Sequence, residues 1–252
     1  MSGFSVLLRK DLTEQWRTFR FPALVLAFFL LGMSSPLLAK YTPELVEQLA
    51  GDIEITLPVP TVTQSIEQIV GNLAQIGPIA AIFLAMSVIA TEKRRGTAAL
   101  VLTKPVSRGA FITSKFVAMM ITLGAGIIVG CAGGYAYTAI LFEAPPIGGY
   151  TAFSLLILLA VTVYAAVTFL SSTIFDSPFA AAGVGFAFFV VTLAVSVLPE
   201  IGRFMPVGLY GPAQQLALGK SSPDVVLPAL VNIVIVILAL VFAWLSFRRQ
   251  SL

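Results

Sequence analysis

Histidine is absent from the 252-residue chain, and cysteine occurs once, at Cys131 within an apolar run. With one thiol and no imidazole, the chain can build neither an internal disulfide nor a Cys/His metal site, and Ser/His/Asp and Cys/His nucleophile sets are excluded with them. Charge is scarce too: 11% of residues are charged, where an ordinary soluble domain carries roughly 25%. The longest polar stretch is about thirty residues, too short to wrap a separate water-soluble core, so residues 1–252 read as a single transmembrane domain. The net charge of +3 comes from short basic blocks beside apolar runs. Lipid headgroups, not nucleic acid, are the natural partner of such blocks.

What the chain has in abundance is apolar surface, at 58% of residues. A helix rising 1.5 Å per residue needs about 20 apolar residues to cross the hydrocarbon of a bilayer. Six segments approach that length: 21–39, 73–91, 116–142, 151–170, 179–198 and 227–247. The fourth follows the third by only eight residues, through a turn containing Pro145, Pro146, Gly148 and Gly149 that predicts a helical hairpin. The expected fold is an all-α integral membrane protein of six transmembrane helices.

Lys and Arg set the orientation. Arg9, Lys10, Arg17 and Arg20 precede the first span, Lys93, Arg94, Arg95, Lys104, Arg108 and Lys115 lie between the second and third, and Arg248 and Arg249 follow the last. The other side keeps only Lys40, Arg203 and Lys220, together with Glu44, Glu47, Asp52, Glu54, Glu67, Glu143, Glu200 and Asp224. Both ends are therefore expected on the cytoplasmic side, as an even number of spans requires. The first run has features of a signal peptide, an apolar core followed by Ser34 and Ser35, but its basic flank is longer than such a peptide carries. In that flank Phe4, Leu8, Leu12, Trp16 and Phe19 share one helical face and the basic residues the other. Two readings stand: an amphipathic helix in the headgroup layer, or a plain topogenic flank. Outside, Lys40 to Asn72 predicts an acidic loop or small cap, and the apolar but Pro- and Gly-broken stretch 199–226 reads either as a re-entrant element or as a surface loop.

The apolar cores of the six spans carry no Asp, Glu, Lys or Arg, and their one Asn is Asn232. Ion-driven carriers and pumps keep an ionisable group at membrane depth, so an energy source outside the bilayer is expected. No phosphate cradle compensates. Gly219-Lys220-Ser221 resembles the end of a P-loop, but position 214 is Gln where that motif needs Gly, and the triplet falls on the outer side. Asp176 has no second Asp with which to form a proteolytic pair. The chain is thus expected to be non-catalytic. Gly126, Gly130 and Gly134 recur every fourth residue in the third span, leaving one face on which another helix can approach closely, either within the chain or from a second copy. Tyr135, Tyr137, Tyr164 and Phe169 are candidates for lining a pathway, although core packing explains them equally simply.

The most informative stretch is Thr91 to Lys115, TEKRRGTAALVLTKPVSRGAFITSK. A stop-transfer patch accounts for Lys93, Arg94 and Arg95. It does not account for the turn Lys104 to Gly109 after Ala98 to Thr103, an apolar segment long enough for a short helix and too short for a span. An apolar helical turn held at the cytoplasmic surface suits docking into a groove on another protein.

This stretch resembles the permease subunits of type-2 ATP-binding-cassette transporters, in which E-x-x-x-G-T-x-x-x-L, then P-[VIL]-[ST]-R, then a Lys, links the second and third spans. Glu92, Gly96, Thr97, Leu100, Pro105, Val106, Ser107, Arg108 and Lys115 supply that pattern, and Leu8-Arg9-Lys10-Asp11-Leu12 is similar to the family's opening. The resemblance implies a permease, in export more often than import, that pairs with a second copy or a paralogue and sits on a separate ATP-binding-cassette subunit. ATP and magnesium would belong to that subunit, with no cofactor or metal in this chain. Glu92, Arg95, Gly96, Thr97, Leu100, Pro105, Ser107 and Arg108 would form the docking surface, in the plasma membrane of a prokaryote. The rival readings are a membrane scaffold that recruits a soluble regulator and a secondary carrier.

Overall fold

The computed structural model describes residues 3–50, 59–97, 103 and 106–250. No strand occurs among them. Helix α1 (Gly3–Arg17) is followed by a sharp reversal at Phe19, whose φ of 59° lies in the left-handed region. The chain continues through α2 (Arg20–Ala50), α3 (Val62–Ala85), the short α4 (Ala90–Arg94), α5 (Arg108–Leu141), α6 (Ile147–Ile174) and α7 (Pro178–Val195). Then come α8 (Pro199–Gly202), a 3-10 turn at Pro206–Leu209, α9 (Tyr210–Ala217), a second 3-10 turn at Pro223–Val225, and α10 (Val226–Arg248).

Six stretches are long and apolar enough to cross a membrane: Arg20–Glu44, Val62–Arg94, Arg108–Leu141, Ile147–Ile174, Pro178–Val195 and Val226–Arg248. Each contains most or all of one expected span. Local chemistry sets several of the boundaries. Ser107 caps α5, its hydroxyl accepting from the Ala110 N–H at 3.1 Å. Proline stands at the first position of α7, where its missing N–H costs nothing.

The expected outer loop over Lys40 to Asn72 is mostly helix where described. α2 runs on to Ala50 with Pro36 and Pro43 inside it, and α3 starts at Val62, where the Gln64 side chain accepts from the Thr61 N–H at 3.1 Å. Hydrophobic length marks only the part of a helix that lipid covers; beyond it, capping and backbone bonding decide where the helix ends.

Helix α6, built around the fourth expected span, is the hub. It contacts α3, α5, α7, α9 and α10, and it buries Phe153, Ile157, Tyr164 and Phe169 completely. The second main seam joins α2 to α5. Stretch 199–226 is not a plain surface loop: Leu209, Tyr210, Ala213 and Ala217 are buried, and α9 packs on α6 and α3. Its Gly219-Lys220-Ser221 triplet ends α9 as a helix stop. Gly219 adopts φ +74°, and the Lys220 N–H reaches back to the Gln215 carbonyl at 2.9 Å, the hydrogen bonding of a glycine C-cap and not of a phosphate cradle.

Both chain ends lie at the same end of the bundle. Lys115 near the start of α5 pairs with Asp11 of α1, while Arg108 bonds the carbonyls that end α10. We call this the basal end.

Candidate functional site

The basal end is organised by a buried ammonium. Lys115 Nζ lies 2.8 Å from Glu92 Oε1 and 3.2 Å from Asp11 Oδ1, and over the Phe111 ring at 5.1 Å. Lys10 adds a looser contact to Glu92 at 3.5 Å. Lys115 and Asp11 are each only 6% exposed. Asp11 is placed there by helical spacing, since Leu7 one turn earlier is the other buried residue of α1. Burial raises the Asp11 carboxyl above the ordinary carboxylate range, against the pull of Lys115. Asp11, Glu14 and Glu92 converge to within 4.8 Å. The Lys115 ammonium pairs with one oxygen each of Asp11 and Glu92.

The letters E-x-x-x-G-T act locally here. Gly96 at φ +70° closes α4, and the Thr97 hydroxyl donates to the Glu92 carbonyl at 3.2 Å. The other end of α4 is capped from α6, where the Ser172 hydroxyl oxygen accepts from the N–H groups of Ile89 and Ala90 at 3.1 and 3.0 Å. Lys93 pairs with Asp176 at 2.8 Å and donates to the Thr173 carbonyl at 3.0 Å. So α4 is bonded to α1, α5 and α6, while Arg94 and Arg95 are exposed.

Arg108 is engaged inside the chain. Its Nη1 donates to the carbonyls of Phe247, Arg248 and Gln250 at 3.3, 2.7 and 2.9 Å, satisfying groups that a helix end leaves open. Phe111 stacks on Phe247 at 5.3 Å just beneath. Of the other residues expected to dock a partner, Ser107 is the exposed cap of α5; Leu100 and Pro105, with the helix expected at Ala98 to Thr103 except for Thr103 itself, lie outside the described residues.

The glycine face of α5 meets α2 of the same chain. A Cβ at Gly126 would stand 2.6 Å from Leu24 Cδ2, and one at Gly130 would stand 2.6 Å from the Phe28 carbonyl oxygen; one at Gly134 would be 3.4 Å from the Gly32 carbonyl. Tyr164 and Phe169 are core residues, and Tyr135 and Tyr137 are half-buried. The Tyr164 hydroxyl is bonded to that of Thr192 at 3.0 Å. Asn232 donates to the carbonyls of Phe204 and Pro228.

Asp11 stood in the sequence only as one letter of the Leu8 to Leu12 opening, without a role in the site. A further signal for its burial was its place one turn after Leu7. Together these contacts let a force on α4 reach α1, α5 and α6 at once, since each contact is made by a side chain of α4 or by its own backbone.

Two comparisons bear on what this assembly belongs to. The model of the family described as ABC-2 family transporter protein matches residues 5–216. The uncharacterized transmembrane protein YxlG of Bacillus subtilis (strain 168) is 26% identical over 256 residues, covering 100% of this chain and 99% of the relative. The chain belongs to the ABC-2 transporter family and is a membrane-spanning permease component of an ATP-binding-cassette transporter.

Proposed function

We propose that the whole chain acts as one permease unit of an ATP-driven exporter, with both ends cytoplasmic in a prokaryotic plasma membrane. It works beside a second copy or a paralogue and on separate subunits that bind ATP and magnesium. The observation that carries this reading is the position of Glu92. It sits on a five-residue helix directly after α3, and its carboxylate holds Lys115 of α5 and Lys10 of α1. Closure of an ATP-binding subunit against the 92–108 connection would move two transmembrane helices and the N-terminal helix together, the kind of rigid-element shift that opens a cleft first to one side and then to the other.

Within that connection the docking contact falls to the exposed side chains Arg94 and Arg95 and to the segment through Pro105. Glu92 and Arg108 act one step behind it: Glu92 ties α4 to α5, and Arg108 ties α5 to the end of α10. The apolar cores of the spans, which carry no Asp, Glu, Lys or Arg, leave ATP as the energy source and apolar or amphipathic solutes as cargo, and export is the direction that the family resemblance favours.

The test is purification of the tagged chain from its native membrane in mild detergent, followed by an ATP hydrolysis assay. A nucleotide-binding subunit is expected to co-purify, and its activity is expected to fall with Glu92→Ala. Absence of any ATPase from a preparation that retains the native complex sinks the reading and leaves the scaffold in its place.

A further inference from the structure

An apolar groove of about 500 Å³ runs between α2 and α3, with Arg20, Leu24 and Leu31 on one side and Ile76, Phe83 and Ser87 on the other. From Arg20 to Leu31 is eleven residues, about 16 Å at 1.5 Å per residue, close to half of the roughly 30 Å hydrocarbon core. The groove is therefore one leaflet deep, and a charged guanidinium stands at its headgroup end. A second, polar cavity of about 260 Å³ adjoins it, sharing Arg20 and Ser87 and lined also by Asp11, Glu14, Glu92 and Arg95.

That cavity presents charged groups of both signs, and the acidic ones have unmet hydrogen-bonding capacity. Asp11 Oδ2 and Glu92 Oε2 are buried without a hydrogen-bond partner, their sister oxygens being the ones that Lys115 holds. A buried carboxylate oxygen left without a donor is costly, so a donor belongs there. On the basic side, neither Arg20 nor Arg95 forms an ion pair among the described residues. An anion alone would leave the buried carboxylate oxygens unmet, and a cation alone would make no use of the exposed Arg20 and Arg95 beside them.

We propose that the groove and its cavity bind a phospholipid with a primary-amine headgroup. One acyl chain lies along α2 and α3, the phosphate sits at Arg20, and the ammonium donates to Asp11 and Glu92. The ligand enters from the leaflet at the basal end, which is the inner one if the orientation proposed above holds. Binding itself requires neither that orientation nor the ATP-driven reading, so either can fail without the other.

Native mass spectrometry of the delipidated full chain, titrated with dioleoyl phosphatidylethanolamine, its mono-, di- and trimethylated analogues and dioleoyl phosphatidylglycerol, tests this directly. Affinity is expected to fall stepwise as N–H donors are lost, by about tenfold from the primary amine to the trimethylated head, the factor that one charge-assisted hydrogen bond commands. Arg20→Gln, at an exposed site, weakens all five lipids, and Ala80→Phe, which fills the groove, does the same, whereas Lys220→Gln at the other end changes nothing. Soluble glycerophosphoethanolamine competes poorly, because the groove contributes its share only to a molecule with a chain. Equal binding across the methylated series, equal binding of phosphatidylglycerol, or full competition by the soluble head each overturns the proposal. So does a groove that binds no lipid because a second copy of the chain covers it.

Discussion

Where α1, α4 and α5 meet, neighbouring elements are joined by charged side chains across a polar cavity: Lys115 to Asp11 and Glu92, and Lys10 to Glu92. Where 199–226 folds over α6, they are joined by backbone against backbone. A Cβ at Gly149 would stand 2.0 Å from the Leu216 carbonyl oxygen, and one at Gly208 would stand 2.4 Å from that of Gly202. Long side chains on a shared ammonium can exchange partners while the helices shift by an ångström or two. Two backbones in contact have nothing to exchange and must move as one piece. The contrast assigns movement to the basal end and rigidity to the far end, which is the division of labour expected of a permease driven from its cytoplasmic face.

Four substitutions or conditions sharpen that contrast, and thermal unfolding of the detergent-solubilised chain reads all of them. Lys115→Met removes the cation shared by two buried carboxylates and should cost about 3–5 kcal/mol, the range for breaking a buried pair from one side; a loss of less than about 1 kcal/mol would mean that the cluster behaves like a surface pair. Gly149→Ala should cost about 1–3 kcal/mol by forcing α6 from α9, and a silent result would show that the far end yields.

Third, the raised Asp11 carboxyl makes stability fall as pH rises. The folded chain holds that proton where the unfolded chain, with an ordinary carboxyl near about 3.9, has released it. The term is fully present below the ordinary value and is lost as pH passes through the raised one. Asp11→Asn is expected to flatten that part of the pH profile, and an unchanged profile would assign it to another group. Smallest is Lys10→Met, whose ammonium is 48% exposed and 3.5 Å from Glu92; no more than about 0.5 kcal/mol is expected of such a pair.

Much of this was legible in the chain. The six spans follow from hydrophobic length alone, because the bilayer imposes one dimension on all of them. The continuation of α2 past Lys40 and the early start of α3 were not, since outside the hydrocarbon no such dimension applies. Gly126, Gly130 and Gly134 announced a close approach but not its partner, and α2 reaches them from about a hundred residues away. Glu92 and Arg108 were visible as letters; what they hold was not. Arg108 meets the end of α10 at a sequence separation of 140, and Lys115 meets Asp11 at 104, and no local pattern encodes pairs so distant. Asp11 was visible as a letter of the opening motif, and its helical register to Leu7 hinted at burial, but its pairing with Lys115 was not legible for the same reason.

The claim that the basal end receives the drive is tested most directly by ATP hydrolysis in the purified complex carrying a charge reversal at one end or the other. Arg94→Glu alters an exposed side chain of α4 that makes no ion pair among the described residues, and Lys220→Glu alters an exposed one beyond α9. Loss of co-purified ATPase activity with Arg94→Glu and none with Lys220→Glu is the expected result. Equal activity in both variants, or loss with Lys220→Glu alone, would contradict it.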